Sequence, residues 1–120
     1  MEAQRLATEN ARSANLAAND LTTRARAAAE VAAAHAPDVD LTGRFPTEAF
    51  AEIRKQRLLG ILVPQALNGE GASLAELADV CFVLGQACSS AALIFAMHHI
   101  KMACIIRHAQ GNAALERILR

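Results

Sequence analysis

The sequence contains no tryptophan and no tyrosine, and phenylalanine occurs only four times. With aromatics at only 3% of residues, the core must be filled mainly by aliphatic side chains. No long run alternates apolar with polar residues, so half-buried strands are not the main architecture. Net charge is missing too, because twelve Lys and Arg offset twelve Asp and Glu. A neutral chain lacks the basic footprint of a nucleic-acid binder, and the local cluster Arg54, Lys55 and Arg57 reads as a solvated helix face. Three cysteines form neither a disulfide framework nor a metal-type spacing, which suits reduced thiols in a cytoplasm. Cys81 and Cys88 on one helix would stand about 10.5 Å apart along its axis, beyond a disulfide's reach. Met1-Glu2 opens a polar, alanine-rich segment with no signal-peptide pattern. The most apolar window, Ala91 to Ile106, is interrupted by His98, His99 and Lys101 and falls short of a membrane span.

Alanine and leucine dominate a chain in which 53% of residues are hydrophobic. The expected fold is all-α, an antiparallel bundle of about five helices in a single domain spanning residues 1–120. A first helix covers residues 2 to about 35, with Leu6, Leu16, Leu21 and Val31 as its large apolar residues. Asn10, Asn15, Asn19 and Thr22-Thr23 weaken its N-terminal half, so the first dozen residues are expected to fray or to form a separate short helix. Pro37 to Gly43 make the first connection. Phe45-Pro46 then opens a second helix whose apolar stripe runs through Phe50, Ile53, Leu58 and Ile61 until Gly60 and Pro64 end it.

Gly60 to Glu76 is the most densely punctuated stretch. Pro64 cannot continue a helix, Asn68, Gly69 and Gly71 suit a tight turn, and Ser73 with Glu76 forms a capping box for a third helix running to about Ala87. Almost every turn of that helix offers an apolar residue, which predicts a helix sandwiched between others. Cys88-Ser89-Ser90 breaks the pattern, and either serine is a cap candidate for a fourth helix from Ala91 to about Ala109. Gly111 stops it, and Asn112 caps a last helix through Leu115, Ile118 and Leu119.

On the fourth helix Ala92, Ala96 and Ile100 recur at four-residue spacing and form a shallow groove, with Leu93, Phe95 and Met97 pointing elsewhere. On the residue pattern alone, alanines that let another helix pack closely are the better explanation of such a groove. His98 and His99 project about 100° apart, unlike an i, i+4 metal pair, and His108 is too distant to complete one, so no metal site is expected. No phosphate loop, dinucleotide-binding glycine pattern or nucleophile–base constellation is present.

The run from Phe45-Pro46 through Leu58-Leu59-Gly60, Val63-Pro64, Asn68-Gly69-Glu70-Gly71 and Leu74-Ala75-Glu76-Leu77 to Cys88-Ser89-Ser90-Ala91-Ala92 resembles the N-terminal helical domain of the acyl-CoA dehydrogenases. The family's loop carries an aromatic and a first glycine where this chain has Leu67 and Asn68. The resemblance implies α,β-dehydrogenation of an acyl-CoA thioester with FAD as cofactor, and a homo-oligomer. It implies that the β-domain and C-terminal helical bundle, with most flavin contacts and the catalytic glutamate, lie outside residues 1–120. The chain alone is then expected to be inactive, with no catalytic residue of its own and little or no FAD retained. The resemblance also places wall positions of the acyl cavity on Ala92, Leu93, Ala96 and Ile100. Flavin-dependent monooxygenases share the fold and in some cases bring a histidine of this helix to the flavin, which makes His98 the catalytic candidate of that alternative. A third possibility is a helical interaction module without an active site, self-associating through exposed apolar surfaces.

Overall fold

A computed structural model describes the backbone of residues 1–120, and the side chains of residues 1–12 and 20–120. Five α-helices follow one another: α1 (Glu2–Thr42), α2 (Thr47–Lys55), α3 (Leu74–Ala87), α4 (Ser89–Ala109) and α5 (Ala113–Leu119), with two 3-10 turns, Leu58–Gly60 and Gln65–Leu67, between α2 and α3. No strand occurs among the described residues, in keeping with the all-α expectation.

α1 is one continuous helix of 41 residues, not a long and a short one. It does not stop near residue 35 either. Pro37 lies inside it, and Gly43, with φ 67°, caps it in the left-handed conformation that glycine adopts at least cost. Proline removes only the bond to the carbonyl of Ala33, and both residues are exposed, so the freed oxygen lies on the solvent side of the helix. Val39, 3% exposed, pins the added turn to the core. The buried face of α1 is Leu21, Ala25, Ala28 and Ala32, so alanine sets its contact surface more than leucine does. Leu6 is exposed, Val31 is half-buried, and Asn15, Leu16 and Asn19 lie outside the described side chains.

Small residues let α1 approach α2 and α3 closely, and α3 in turn packs on α4. Ile53, Leu84, Ala91 and Phe95, all 0% exposed, fill the space between these helices. α3 is therefore flanked on two sides, as predicted, but its outer face is bare: Phe82 is 67% exposed and Leu74 69%. A smaller apolar cluster, Val63, Ala109 and Leu119, joins the end of α4 to α5 and the loop after α2.

α2 ends at Lys55, well before Gly60. Arg57 takes a left-handed conformation (φ 58°) and reverses the chain, so Leu58 and Ile61 enter the core from a turn and not from the helical stripe expected for them. Both are 0% exposed nonetheless. The loop that follows is tightly built. Asn68 (φ 67°) and Gly71 (φ 66°) take the positive φ values, while Gly69 serves close approach instead: a Cβ there would stand 2.0 Å from the Val63 carbonyl oxygen. Ser73 and Glu76 form the predicted capping box, with Glu76 N–H donating to Ser73 Oγ at 3.1 Å and Ser73 N–H donating to Glu76 Oε2 at 2.8 Å. Neither serine caps α4. Cys88, in extended conformation, occupies that position and is buried, leaving the serines inside the first turn. Asn112 caps α5 as expected, its Oδ1 accepting from Ala114 and Leu115.

Candidate functional site on helix 4

α4 has two unlike faces because its residues advance by about 100° each. Ala91, Phe95 and His99 point into the core, each 0% exposed. Leu93, Met97 and Ile100 point outward, 61–65% exposed, and exposed Cys104 extends the same strip. Ala92 and Ala96 lie half-buried at the edge between the two faces. The four positions expected to form an acyl-pocket wall thus fall on one continuous arc from the alanine edge to Leu93 and Ile100. Leu93 and Ile100 are only about 20° apart around the axis, so Leu93 belongs to this arc and does not point elsewhere. Met97 borders it as well, an exposed position that the four-residue spacing does not mark. A shallow cavity of about 430 Å³ opens beside Leu93 and Ile94, bounded by Phe45 and Pro46 at the start of α2.

The inner face of α4 is held by its histidines. His98 Nε2 lies 2.8 Å from the Leu59 carbonyl oxygen, and His99 Nε2 lies 3.0 Å from that of Leu58. A carbonyl only accepts, so both rings donate through Nε2–H. His99 also meets the Phe95 ring edge-on, with centroids 4.5 Å apart. Burial, aided by neighbouring His98, pushes its pKa down to about 4, which keeps the ring neutral at physiological pH. Its Nδ1 is buried with no partner. His98 is half-buried and already bonded to the turn. The two histidines therefore tie α4 to the Leu58–Gly60 turn, and no three His, Cys, Asp or Glu side chains among the described residues converge as a metal group would require.

A second tie fixes the loop. Arg24 on α1 grips both carboxylate oxygens of Glu70, with N–O distances of 2.6, 2.7 and 2.9 Å. Its Nε sits 3.3 Å from Asp20, close enough for ion pairing but outside hydrogen-bond geometry. Arg24 lies mid-helix on α1, so its role is this tie to the loop and not the helix dipole. Across the α1–α2 junction Arg44 bonds Asp38 and Glu48, which holds the Glu48 carboxyl below the usual carboxylate range.

The outward face of α4 suits an apolar ligand or an apolar neighbour. It does not suit a whole flavin, whose diphosphate and ring need polar donors. The buried side-chain polar atoms without a hydrogen bond among the described residues, Arg24 Nε and His99 Nδ1, lie off this outward face. α4 meets the length and composition of a membrane-crossing helix, a test that the core helix of a soluble protein passes equally, so it establishes no membrane span.

Residues 18–118 match the family description "Acyl-CoA dehydrogenase, N-terminal domain". A probable acyl-CoA dehydrogenase, YngJ of Bacillus subtilis (strain 168), is 36% identical over 64 residues. That match covers 53% of this chain and 17% of the relative's length. No solved structure matches significantly. With most of its length matched and an all-α fold to carry it, this chain belongs to the acyl-CoA dehydrogenase family and holds its N-terminal domain.

Proposed function

We propose that the chain serves as the N-terminal helical part of an FAD-dependent acyl-CoA dehydrogenase, forming one wall of the pocket that receives flavin and the acyl chain. The observation that carries this reading is the outward face of α4, where Leu93 is 63%, Met97 61% and Ile100 65% exposed beside the small Ala92 and Ala96. An apolar strip of this kind on a helix whose other face is fully packed is a surface awaiting cover. The parent reaction is α,β-dehydrogenation of an acyl-CoA thioester, in which bound FAD supplies the hydride acceptor. This chain's own contribution is placement: Ala92 and Ala96 leave room for an acyl chain, Leu93 and Ile100 contact it and exclude water, and the His98–Leu59 and His99–Leu58 bonds hold α4 in position. The four wall positions Ala92, Leu93, Ala96 and Ile100 carry only hydrocarbon side chains, and this reading assigns the base to another part of the parent. Assembly into a homo-oligomer and a cytoplasmic location belong to the same reading. Enlarging Ala96 in the protein expressed from its complete reading frame tests it: Ala96→Leu should shift preference toward shorter acyl chains, and an unchanged chain-length profile would remove Ala96 from the pocket.

The exposed strip also supports a second reading, in which the isolated chain self-associates through α4 and Phe82. Mass by light scattering that rises with concentration supports this reading, and a strictly constant monomer mass opposes it. In the monooxygenase alternative His98 would have to release the Leu59 carbonyl to reach a flavin.

A further inference from the structure

A second concavity, of about 270 Å³, lies between the end of α2, the Leu58–Gly60 turn and the end of α5, and shares no residue with α4. Arg54, Arg57 and Arg120 line it, and none of the three has an acidic partner among the described residues. The Glu70 side chain, which also lines it, is already occupied by the bidentate bonds to Arg24. The floor is apolar, built from Leu59, Val63 and Leu119.

Arg54 and Arg57 line one hollow, so an anion held there would be attracted to both cationic side chains. An apolar floor adds affinity for a short hydrocarbon but none for a bare, strongly hydrated ion. The wall of the hollow is closely built, with Gly69 pressed against the Val63 carbonyl and Arg57 in a left-handed turn. We infer that this hollow binds a small amphiphilic anion, a carboxylate or phosphate headgroup on a short alkyl chain, with the head between Arg54 and Arg57 and the tail over Leu59, Val63 and Leu119. This site does not depend on the pocket-wall reading of α4.

The experiment is calorimetric or NMR titration of the chain with hexanoate and butyl phosphate, set beside hexan-1-ol and inorganic phosphate. Variants Arg54→Gln and Arg57→Asn remove the charges. Asparagine tolerates the left-handed backbone at position 57, and far-UV circular dichroism confirms that each variant is folded. The expected result is saturable binding of both amphiphiles, weakened about tenfold in each variant and at high salt, as loss of a charge-assisted contact implies. Hexanol binding as tightly as hexanoate would show an apolar hollow without a role for the arginines. Inorganic phosphate binding as tightly as butyl phosphate would show a plain cationic patch. Either of these results, the absence of saturable binding, or unaltered affinity in both variants overturns the proposal.

Discussion

His99 Nε2 stands 3.0 Å from the carbonyl oxygen of Leu58, joining the middle of α4 to a turn 41 residues earlier in the chain. The ring is 0% exposed, so this bond is shielded from water, and Phe95 closes over one side of it. Replacing His99 with alanine removes the ring and leaves the Leu58 oxygen without its donor. The expected cost is about 2–4 kcal/mol, read as a lower denaturation midpoint in urea. A loss below about 0.5 kcal/mol, within the range of ordinary surface changes, would mean that the contact is unimportant.

The same histidine gives stability a pH dependence. Its folded-state pKa is pushed down to about 4 from an unfolded value of 6.5, so between those values the unfolded chain binds more protons. The contribution is fully present above pH 6.5 and is lost as pH falls toward 4. After allowance for screening it amounts to on the order of 2 kcal/mol. Unfolding free energy measured from pH 7.5 to 4 should show this acid limb, and His99→Gln, which keeps a donor but does not titrate, should flatten it.

Gly69 is constrained by space. An added methyl group would meet the Val63 carbonyl at 2.0 Å, and the obstacle is backbone. Gly69→Ala should therefore destabilise the domain by about 1–3 kcal/mol, as overpacking does. Gly60→Ala, with nothing within 4 Å of the new methyl, is the control and should be nearly neutral.

Glu70→Gln breaks the bidentate pair with Arg24, whose side chain is only 14% exposed. A loss of about 1–2 kcal/mol is expected, as for a charge-assisted bond at a partly buried site. If the pair contributes, thermal unfolding of the parent chain will also be salt-sensitive while that of the variant will not.

What could be read from the sequence followed local chemistry. The Ser73/Glu76 capping box, the Asn112 cap and the stop at Gly111 each depend on side chains within a few residues, and each is where the pattern places it. The errors arose where a distant contact decided. Pro37 looked like a terminator, but the bond it removes faces water and Val39 anchors the turn beyond it. Arg57 carries no glycine- or asparagine-like signal for its left-handed turn, so local pattern does not mark the end of α2 at Lys55. At the candidate site the apolar arc on α4 was legible from spacing, whereas the engagement of His98 with Leu59 depends on a fold-back that no periodicity encodes.

The central claim is that the outward face of α4 borders a flavin and acyl-CoA pocket. Its most direct test is the absorbance spectrum of the protein expressed from its complete reading frame, recorded before and after adding acyl-CoA, for the parent sequence and for Ala96→Trp. The account predicts a bound-flavin spectrum in both proteins, bleached by acyl-CoA in the parent and not, or only by the shortest acyl chains, in the variant. A flavin-free parent protein, or equal bleaching of both by long-chain acyl-CoA, would contradict it.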